Sequence, residues 1–362
     1  MHRTKCVICK TYPLKFFYEL KEFPLLTLPT NDIKDSDIFF DLSYGMCPEC
    51  LSVQLIDLID PSTLYNYPNK ASLTPLWKEH HIEFAEFIQE LQPNLTKLYE
   101  LGGANNPLIE YFKGIEQYKV LDLHEPSIKD KKIDYILGNI ETYSEYTEDT
   151  ILLSHTFEHL YDPHSFLKHV QKSKVQNVFI SVPNMYDMLK NKTNVSIIFN
   201  EHTFYFEVED IQYMFAQYGF TCMSFKHFKN HSLFFYFKRD ASTKELQVHR
   251  KENQKELFIN HFFKREEKIK AIEINTPFYI MPSHYIGQMV YYYYNKKENI
   301  IGFLDNDKNK CNRRLYGTNC NTYSPTQELV KGKLVLLVNN PYKKEMEEQL
   351  RFMGACIVEF DL

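Results

Sequence analysis

The chain has 362 residues, 44% of them hydrophobic and 25% charged, with a formal net charge of -5 at pH 7, a length that exceeds one ordinary core and points to two or three domains. The acidic balance and the lack of a basic block exclude polymeric nucleic acid as the expected partner, because phosphate contacts need a basic excess. No apolar run reaches the about 18 residues of a membrane span; the longest, Phe278 to Tyr294, is broken by Pro282, Ser283, His284 and Gln288, and the opening Met-His-Arg-Thr-Lys-Cys has no apolar secretory core, so a cytoplasmic protein is expected.

Residues 1–70 hold short elements, interrupted by Pro13, Pro24, Pro29 and Pro48. Two cysteine pairs stand out, Cys6-Val-Ile-Cys9 and Cys47-Pro-Glu-Cys50. Each pair sets two sulfurs on one side of a tight turn. Together they supply four thiolates, the set that tetrahedral Zn2+ takes at about 2.3 Å. Four thiolates leave no open position, so such a zinc would be structural. The alternative is four unpaired core cysteines. The remaining four, Cys222, Cys311, Cys320 and Cys356, are scattered, and in a chain without an export signal thiols are reduced or metal-bound more often than bridged.

Leu76, Phe84, Phe87, Ile88 and Leu91 recur at helical spacing and predict a helix from Pro75 to Leu91. From Lys97 short apolar runs alternate with helical stretches. Strands are expected at Leu98–Leu101, Tyr118–Leu123, Ile133–Leu137, Thr150–Ser154 and Asn177–Val182, with helices at Pro107–Lys113, Ser165–Gln171 and Val208–Tyr218. Thr221–Lys226 and Ser232–Lys238 read as a closing antiparallel pair. This alternation implies an α/β domain with a parallel sheet and helices on both faces. Residues 240–270 are charged and read as a connecting helix with one sticky face of Leu257, Phe258, Phe262 and Phe263. A second α/β pattern follows, with strands at Pro277–Met281, Ile300–Leu304, Lys333–Val338 and Cys356–Phe360, and helices at Ile286–Tyr294 and Lys343–Met353. The expected partition is 1–70, 71–240, 241–270 and 271–362.

Glu100-Leu101-Gly102-Gly103-Ala104-Asn105-Asn106 follows the first strand of the central domain. Glycines there let the backbone approach a ligand, and a helix opening after them would attract a negative group. No third glycine follows, but Asn105 and Asn106 tolerate positive φ. The second strand runs into Asp122-Leu123-His124-Glu125. An acid at that place is suited to ribose hydroxyls, and Glu125 lies at the expected offset of about 20 residues; a solvated strand end is the other reading. Asn139 is placed to meet an adenine edge or to form a plain turn. The fourth strand leads into Ser154-His155-Thr156-Phe157-Glu158-His159-Leu160-Tyr161-Asp162-Pro163. Ligands of open α/β sheets sit beyond the carboxyl ends of strands, so His155, Glu158 and His159 are candidates for cofactor or acceptor contact. A polar loop capping the next helix is the alternative.

Several motifs in this order resemble the three-part sugar C-methyltransferases that act on nucleotide-linked deoxysugars. Cys6-x2-Cys9, Phe23-Pro24-Leu25 and Cys47-x2-Cys50-Leu-Ser-Val-Gln54-Leu55 are similar to the family's zinc module. Glu100-Leu-Gly102, Glu125-Pro126-Ser127 and Phe157-Glu158-His159-x-x-Asp162-Pro163 resemble its methyltransferase motifs. Asn200-Glu201-His202-Thr-Phe-Tyr205-Phe206 resembles its Glu-His-x-x-Tyr-Phe segment, and Gly287, Asp305-x4-Lys310, Gly317 and Ser324-Pro325 are similar to its tail domain.

The resemblance implies a class I S-adenosylmethionine-dependent methyltransferase with a Rossmann-like sheet, preceded by a structural Zn2+ module and followed by a second Rossmann-like domain. Glu100, Gly102, Gly103, Asn105, Glu125, Asn139 and His155 are the expected cofactor contacts, and Cys6, Cys9, Cys47 and Cys50 the metal ligands. A small-molecule acceptor, a nucleotide-linked sugar, is implied, in a monomer or homodimer. C-methylation needs a base next to a ketone, and histidine suits that near neutral pH. The resemblance implies that His202 faces the acceptor in this role, with His159 a second candidate there and Glu201 either orienting the imidazole or holding a sugar hydroxyl; the alternative for His202 is a loop cap before Phe204. Two departures bear on the reaction. Phe199-Asn200 stands where the family has Tyr-His, and Ala104-Asn105-Asn106 where Asn-Asp-Gly is common. O- or N-methylation of another surface-glycan precursor, or a zinc-containing scaffold that has lost catalysis, therefore remain as alternatives. The last domain has no intact Gly-rich phosphate loop, so a second cofactor is not expected there.

Overall fold

Runs of β-branched and aromatic residues form strands wherever both faces can be buried, and the segments between Lys97 and Arg239 do so in a computed structural model of the chain. It describes residues 1–65, 74–103, 105–126, 128–191, 198–340 and 342–361. Ala104, Ser127 and the boundary expected near residue 70 lie outside these. The chain divides into two compact units. The first comprises Met1–Lys15, Met46–Asp187 and Glu201–Lys251; the second comprises Phe16–Gly45, Met188–Asn200 and Glu252–Leu362.

The first unit is built on seven strands: β1 (Lys97–Leu101), β2 (Gln117–Asp122), β3 (Ile133–Leu137), β4 (Thr150–Ser154), β5 (Asn177–Pro183), β6 (Phe220–Phe228) and β7 (Ser232–Arg239). Their order is β6-β7-β5-β4-β1-β2-β3. Strands β1 to β5 are parallel, while β7 runs antiparallel to both β5 and β6. This is the Rossmann-like class I methyltransferase fold. Central strands read as continuous apolar runs, and every residue of β5 is buried, because helices cover both faces. The strand order reverses between β1 and β4, which opens a crevice at their carboxyl ends.

Helix α1 (Pro75–Leu91) starts at Thr74, whose hydroxyl accepts from Trp77 N at 3.5 Å, with proline at its first position. It buries Phe84, Phe87 and Ile88 in one cluster with Leu98, Phe179 and Phe234. Helix α2 (Pro163–Lys172) is capped by Asp162, which accepts from Ser165 N at 3.0 Å. Helix α3 (Val208–Ala216) buries Ile211, Met214 and Phe215, and Phe215 stacks on Phe237 at 3.9 Å. Gly219, at φ +76°, then turns the chain into β6.

Two expectations are corrected. The helix expected at Pro107–Lys113 is a single 3-10 turn, Leu108–Tyr111. Only a few residues separate Pro107 from Gly114, which sits at φ +76°, too few to offset the cost of helix nucleation. Leu108 and Phe112 instead turn into the core. Among the described residues the Gly102–Gly103 turn is therefore followed by this 3-10 turn and not by the expected α-helix. The charged stretch 240–270 is helical only from Glu252. Ahead of it Lys251 is fully buried and donates to Cys50 O at 3.2 Å, so the chain is held by tertiary contacts where the local pattern reads as helix.

The second unit carries β8 (Phe278–Met281), β9 (Ile300–Leu304), β10 (Arg313–Leu315), β11 (Asn321–Tyr323), β12 (Leu334–Val338) and β13 (Cys356–Phe360). Their order is β13-β12-β8-β9-β11-β10, with Pro29–Thr30 pairing on β10 at the edge. Every pairing is parallel except the two made by β10, which runs antiparallel to β11 on one side and to the edge segment on the other. Its helical stretch is α4 (Glu252–Ile259), a π turn (Asn260–Lys264) and α5 (Arg265–Lys270), followed later by α6 (Tyr285–Tyr293) and α7 (Lys343–Phe352). Gly287 of α6 packs so tightly that a Cβ would lie 2.3 Å from Pro282 O. No helix among the described residues is long and apolar enough to cross a membrane.

Candidate functional site

The crevice of the first unit begins where β1 ends. Gly102 has φ +84°, and its N donates to Leu121 O at 2.8 Å, which ties the turn to the end of β2. A Cβ on Gly102 would lie 2.5 Å from Thr156 Cγ2, and one on Gly103 would lie 2.3 Å from Glu100 Cδ. Thr156 and Glu100 thus occupy the space that a side chain would take at either position, so both favour glycine, Gly102 also through its positive φ. Glu100 is fully buried; it accepts from Leu108 N at 3.0 Å and from the Tyr118 hydroxyl at 2.6 Å. Burial pushes its carboxyl up to about 7, against the pull of those two donors. Glu100 thus braces the turn from below. Asn105 is exposed beside it.

Asp122 ends β2, and its Oδ1 accepts from His124 N at 3.0 Å. Glu125 lies three residues on; it is exposed and pairs with Lys129 at 3.2 Å. Asn139 accepts from Glu141 N at 2.8 Å, an Asx turn after β3. Of the two acids read from the sequence, Asp122 is therefore the one at the strand end.

Beyond β4 the chain turns through His155, which sits at φ +50°, an uncommon conformation for a residue with a side chain. Its N donates to Ser181 O at 2.8 Å, and its ring shares a hydrogen bond with Ser232 Oγ at 2.8 Å. The next turn, Phe157–His159, carries Glu158 inward. Glu158 is fully buried, its carboxylate oxygens have no well-formed hydrogen-bond donor from another of the described residues, and burial raises its pKa. Its Oε1 lies 3.4 Å from His155 Nδ1 and 3.8 Å from His159 Nε2. Thr203 N donates to Glu158 O at 3.0 Å, which draws Glu201 and His202 to the same place. The rings of His159 and His202 are 5.1 Å apart, and His159 Nδ1 is 3.9 Å from Glu201 Oε2. One donor atom each from Glu158, His159 and His202 fall within 4.8 Å of one another. Burial pushes His159 down to about 4 and Glu201 up to about 7. At neutral pH His159 is uncharged and Glu201 divides between its two forms.

The three residues expected to do the chemistry, His159, Glu201 and His202, are thus brought together. Sequence reasoning missed Tyr65, whose hydroxyl shares a hydrogen bond with His159 Nδ1 at 3.3 Å; a lone tyrosine after a short helix carries no signal. It also missed a ring cluster around Trp77, which lies 4.7 Å from His155, 5.2 Å from His80 and 4.8 Å from His231. The adjacent His80-His81 in α1 was the available hint.

The four cysteines converge in the same unit. Cys6 and Cys50 sulfurs are 3.6 Å apart, Cys9 and Cys47 sulfurs 3.7 Å, and all four lie within 4.8 Å of one another. A tetrahedron with bonds of about 2.3 Å has edges of about 3.8 Å, so the set fits Zn2+. All four are buried, and Gln54 Nε2 donates to Cys6 Sγ at 3.0 Å, a contact that orients a thiolate ligand.

No family model matches the chain, and no curated protein matches it in sequence. Solved structures similar to it include a magnesium protoporphyrin IX methyltransferase from Synechocystis PCC 6803 with bound S-adenosylhomocysteine (SAH), which is 10% identical over 50% of this chain and 100% of that one, at a TM-score of 0.37. The N-methyltransferase NodS from Bradyrhizobium japonicum, in complex with SAH, is 11% identical over 48% and 91%, at 0.35. An S-adenosylmethionine-dependent methyltransferase from Mesorhizobium loti is 12% identical over 43% and 98%, at 0.33. At these values the likeness extends no property of those proteins to this chain, and the fold stands on its own strand order.

Proposed function

We propose that the first unit binds S-adenosylmethionine at the Gly102–Gly103 turn and methylates a small-molecule acceptor, a nucleotide-linked keto-deoxysugar, at carbon. The observation that carries this reading is the convergence of Glu158, His159, Glu201 and His202 beyond β4, in the same unit as a turn whose two glycines leave no room for a Cβ. The bare backbone of Gly102 and Gly103 would hold the donor, with Asn105, Asn139 and His155 around it. Asp122, or Glu125 three residues on, would take the ribose hydroxyls. When bound, the cofactor supplies an electrophilic methyl group.

The chain's own residues supply the rest. His202 removes the proton next to the ketone, and the resulting carbanion character at that carbon makes it the nucleophile. The buried Glu158 carboxyl lies close to His159 and His202 and favours the imidazolium that proton uptake creates. Glu201, poised at about 7 by burial, holds a sugar hydroxyl or the imidazole. The four cysteines hold a structural Zn2+ that takes no part in the reaction. A second reading, O- or N-methylation of another glycan precursor, is favoured by Phe199-Asn200: the position lacks a hydroxyl, and Asn200 Nδ2 is spent on Leu25 O at 2.8 Å.

The test is calorimetry with SAH, followed by transfer of labelled methyl to candidate sugar nucleotides. SAH binding and a label stable to acid and base are expected; an acid- or base-labile label would move the assignment to oxygen or nitrogen. His202→Asn should lower turnover at least about 100-fold with SAH affinity unchanged. No SAH binding would make the protein a scaffold.

A further inference from the structure

Arg265 opens α5 in the second unit, immediately after the π turn Asn260–Lys264. It is 2% exposed, and among the described residues none of its three side-chain nitrogens reaches a carboxylate or a carbonyl within hydrogen-bond distance. A buried guanidinium is ordinarily paired, because an unpaired charge in the interior loses its hydration without compensation. The nearby carboxylate does not serve it: Glu266 is taken by Lys270 at 2.5 Å and by the Tyr18 hydroxyl. On the preceding turn His261 is buried, and its Nε2 also has no partner. Burial and the Arg265 charge hold His261 well below the ordinary imidazole range, so it is neutral and able to donate from one nitrogen. Tyr285 lies alongside, its ring centroid 6.0 Å from the guanidinium carbon; its hydroxyl donates to Ile198 O at 2.5 Å, and its phenol oxygen, the neutral acceptor turned toward Arg265, satisfies at most one of the five N–H groups and none of the charge. The π turn itself is a feature that recurs at functional sites.

The count of donors indicates what is missing. A guanidinium carries five N–H groups and a neutral imidazole one, whereas a carboxylate offers about four lone-pair sites. A phosphoryl group, with more oxygens in three dimensions, matches the set and pairs with arginine through two parallel bonds. We propose that the second unit carries an anion site at Arg265 and His261 that takes the phosphoryl group of a phosphate or diphosphate ester. The site goes beyond the methyl-transfer reading and does not require it.

Calorimetry on the full chain at constant ionic strength tests it, with inorganic phosphate and pyrophosphate as probes and acetate as the planar control. Pyrophosphate should bind saturably and acetate at least about tenfold more weakly. Arg265→Met should weaken pyrophosphate binding at least about tenfold, and Arg265→Lys by less, because lysine keeps the charge but not the fork. The thermal transition of each variant reports that it is folded, and the Lys variant and the wild-type affinities decide the matter if the Met variant does not fold. Wild-type protein that binds neither phosphate nor pyrophosphate overturns the site, as does an Arg265→Met variant with undiminished affinity or acetate that binds equally well. Failure to bind SAH would remove the methyl-transfer reading and leave this one standing.

Discussion

Glu100 shows how burial, more than residue type, sets a side chain's task. In the sequence it is the first letter of a cofactor motif; in the fold it lies under the turn, holding Leu108 N and the Tyr118 hydroxyl. Its carboxyl is raised from 4.5 to about 7 by burial. A raised acid binds more protons folded than unfolded between those values, so this group's contribution to stability is most favourable at or below pH 4.5 and declines as pH rises toward 7. The cost above pH 7 is on the order of 3 kcal/mol. Glu100→Gln, which keeps an acceptor and removes the titration, should therefore raise the thermal transition at pH 8 and barely change it at pH 5. An equal shift at both pH values would show that this carboxyl does not titrate in the range. The residue-level candidates His159, Glu201 and His202 were legible as motif letters, whereas Tyr65 and Arg265 were not, since partnership and its absence are not properties of a single position.

Among elements, the strands that are short apolar runs were readable, and the boundaries of Ile133–Leu137, Thr150–Ser154 and Ile300–Leu304 agree with the local pattern to the residue, whereas the short polar strands β10 and β11 left no such signal. The failures came where neighbours outvoted the pattern. The segment before α4 is pinned by Lys251, whose Nζ is 2.7 Å from Asp210 Oδ1, with both side chains fully buried. Arg250 adds a bond to Glu49 O at 2.6 Å. Asp210 also accepts from Glu207 N at 2.8 Å at the start of α3. Lys251→Met leaves a buried carboxylate without its cation and should cost about 3–5 kcal/mol in chemical denaturation. The double variant with Asp210→Leu should recover most of that, short of the lost cap, worth about 1 kcal/mol. A single-variant cost below about 1 kcal/mol would mean the pair is solvated, as surface pairs are.

At the scale of the molecule, the cysteine cluster and the candidate catalytic residues belong to one connected unit. Cys47 N donates to Ser52 O at 3.0 Å, and the strand that follows, Val53–Leu55, bonds to the segment after His202 through Leu55 N to Thr203 O and Tyr205 N to Val53 O, both 3.0 Å. Arg3 adds bonds to Thr203 O at 2.5 Å and Tyr161 O at 2.9 Å. If the four cysteines hold Zn2+ as proposed, removing it should loosen the seat of His202 without touching the glycine turn. Cys47→Ser, or a strong chelator, is expected to lower the thermal transition and the turnover together, while elemental analysis shows the loss of one zinc per chain. Full turnover with the metal gone would separate the two sites.

The amino-acid sequence alone determined the seven strands of the first unit's sheet, four of the second unit's, the two α/β patterns and the paired cysteines, because apolar period and knuckle spacing are local and survive without knowledge of neighbours. Only the tertiary structure decided that residues 16–45 and 188–200 join the second unit, that Pro107–Lys113 forgoes a helix, that Glu100 is a brace, and that Arg265 is buried with no carboxylate paired to it among the described residues. Those outcomes depend on which distant groups share a volume and on how much water is left there. Such quantities are set by the packed chain and leave no trace in residue spacing.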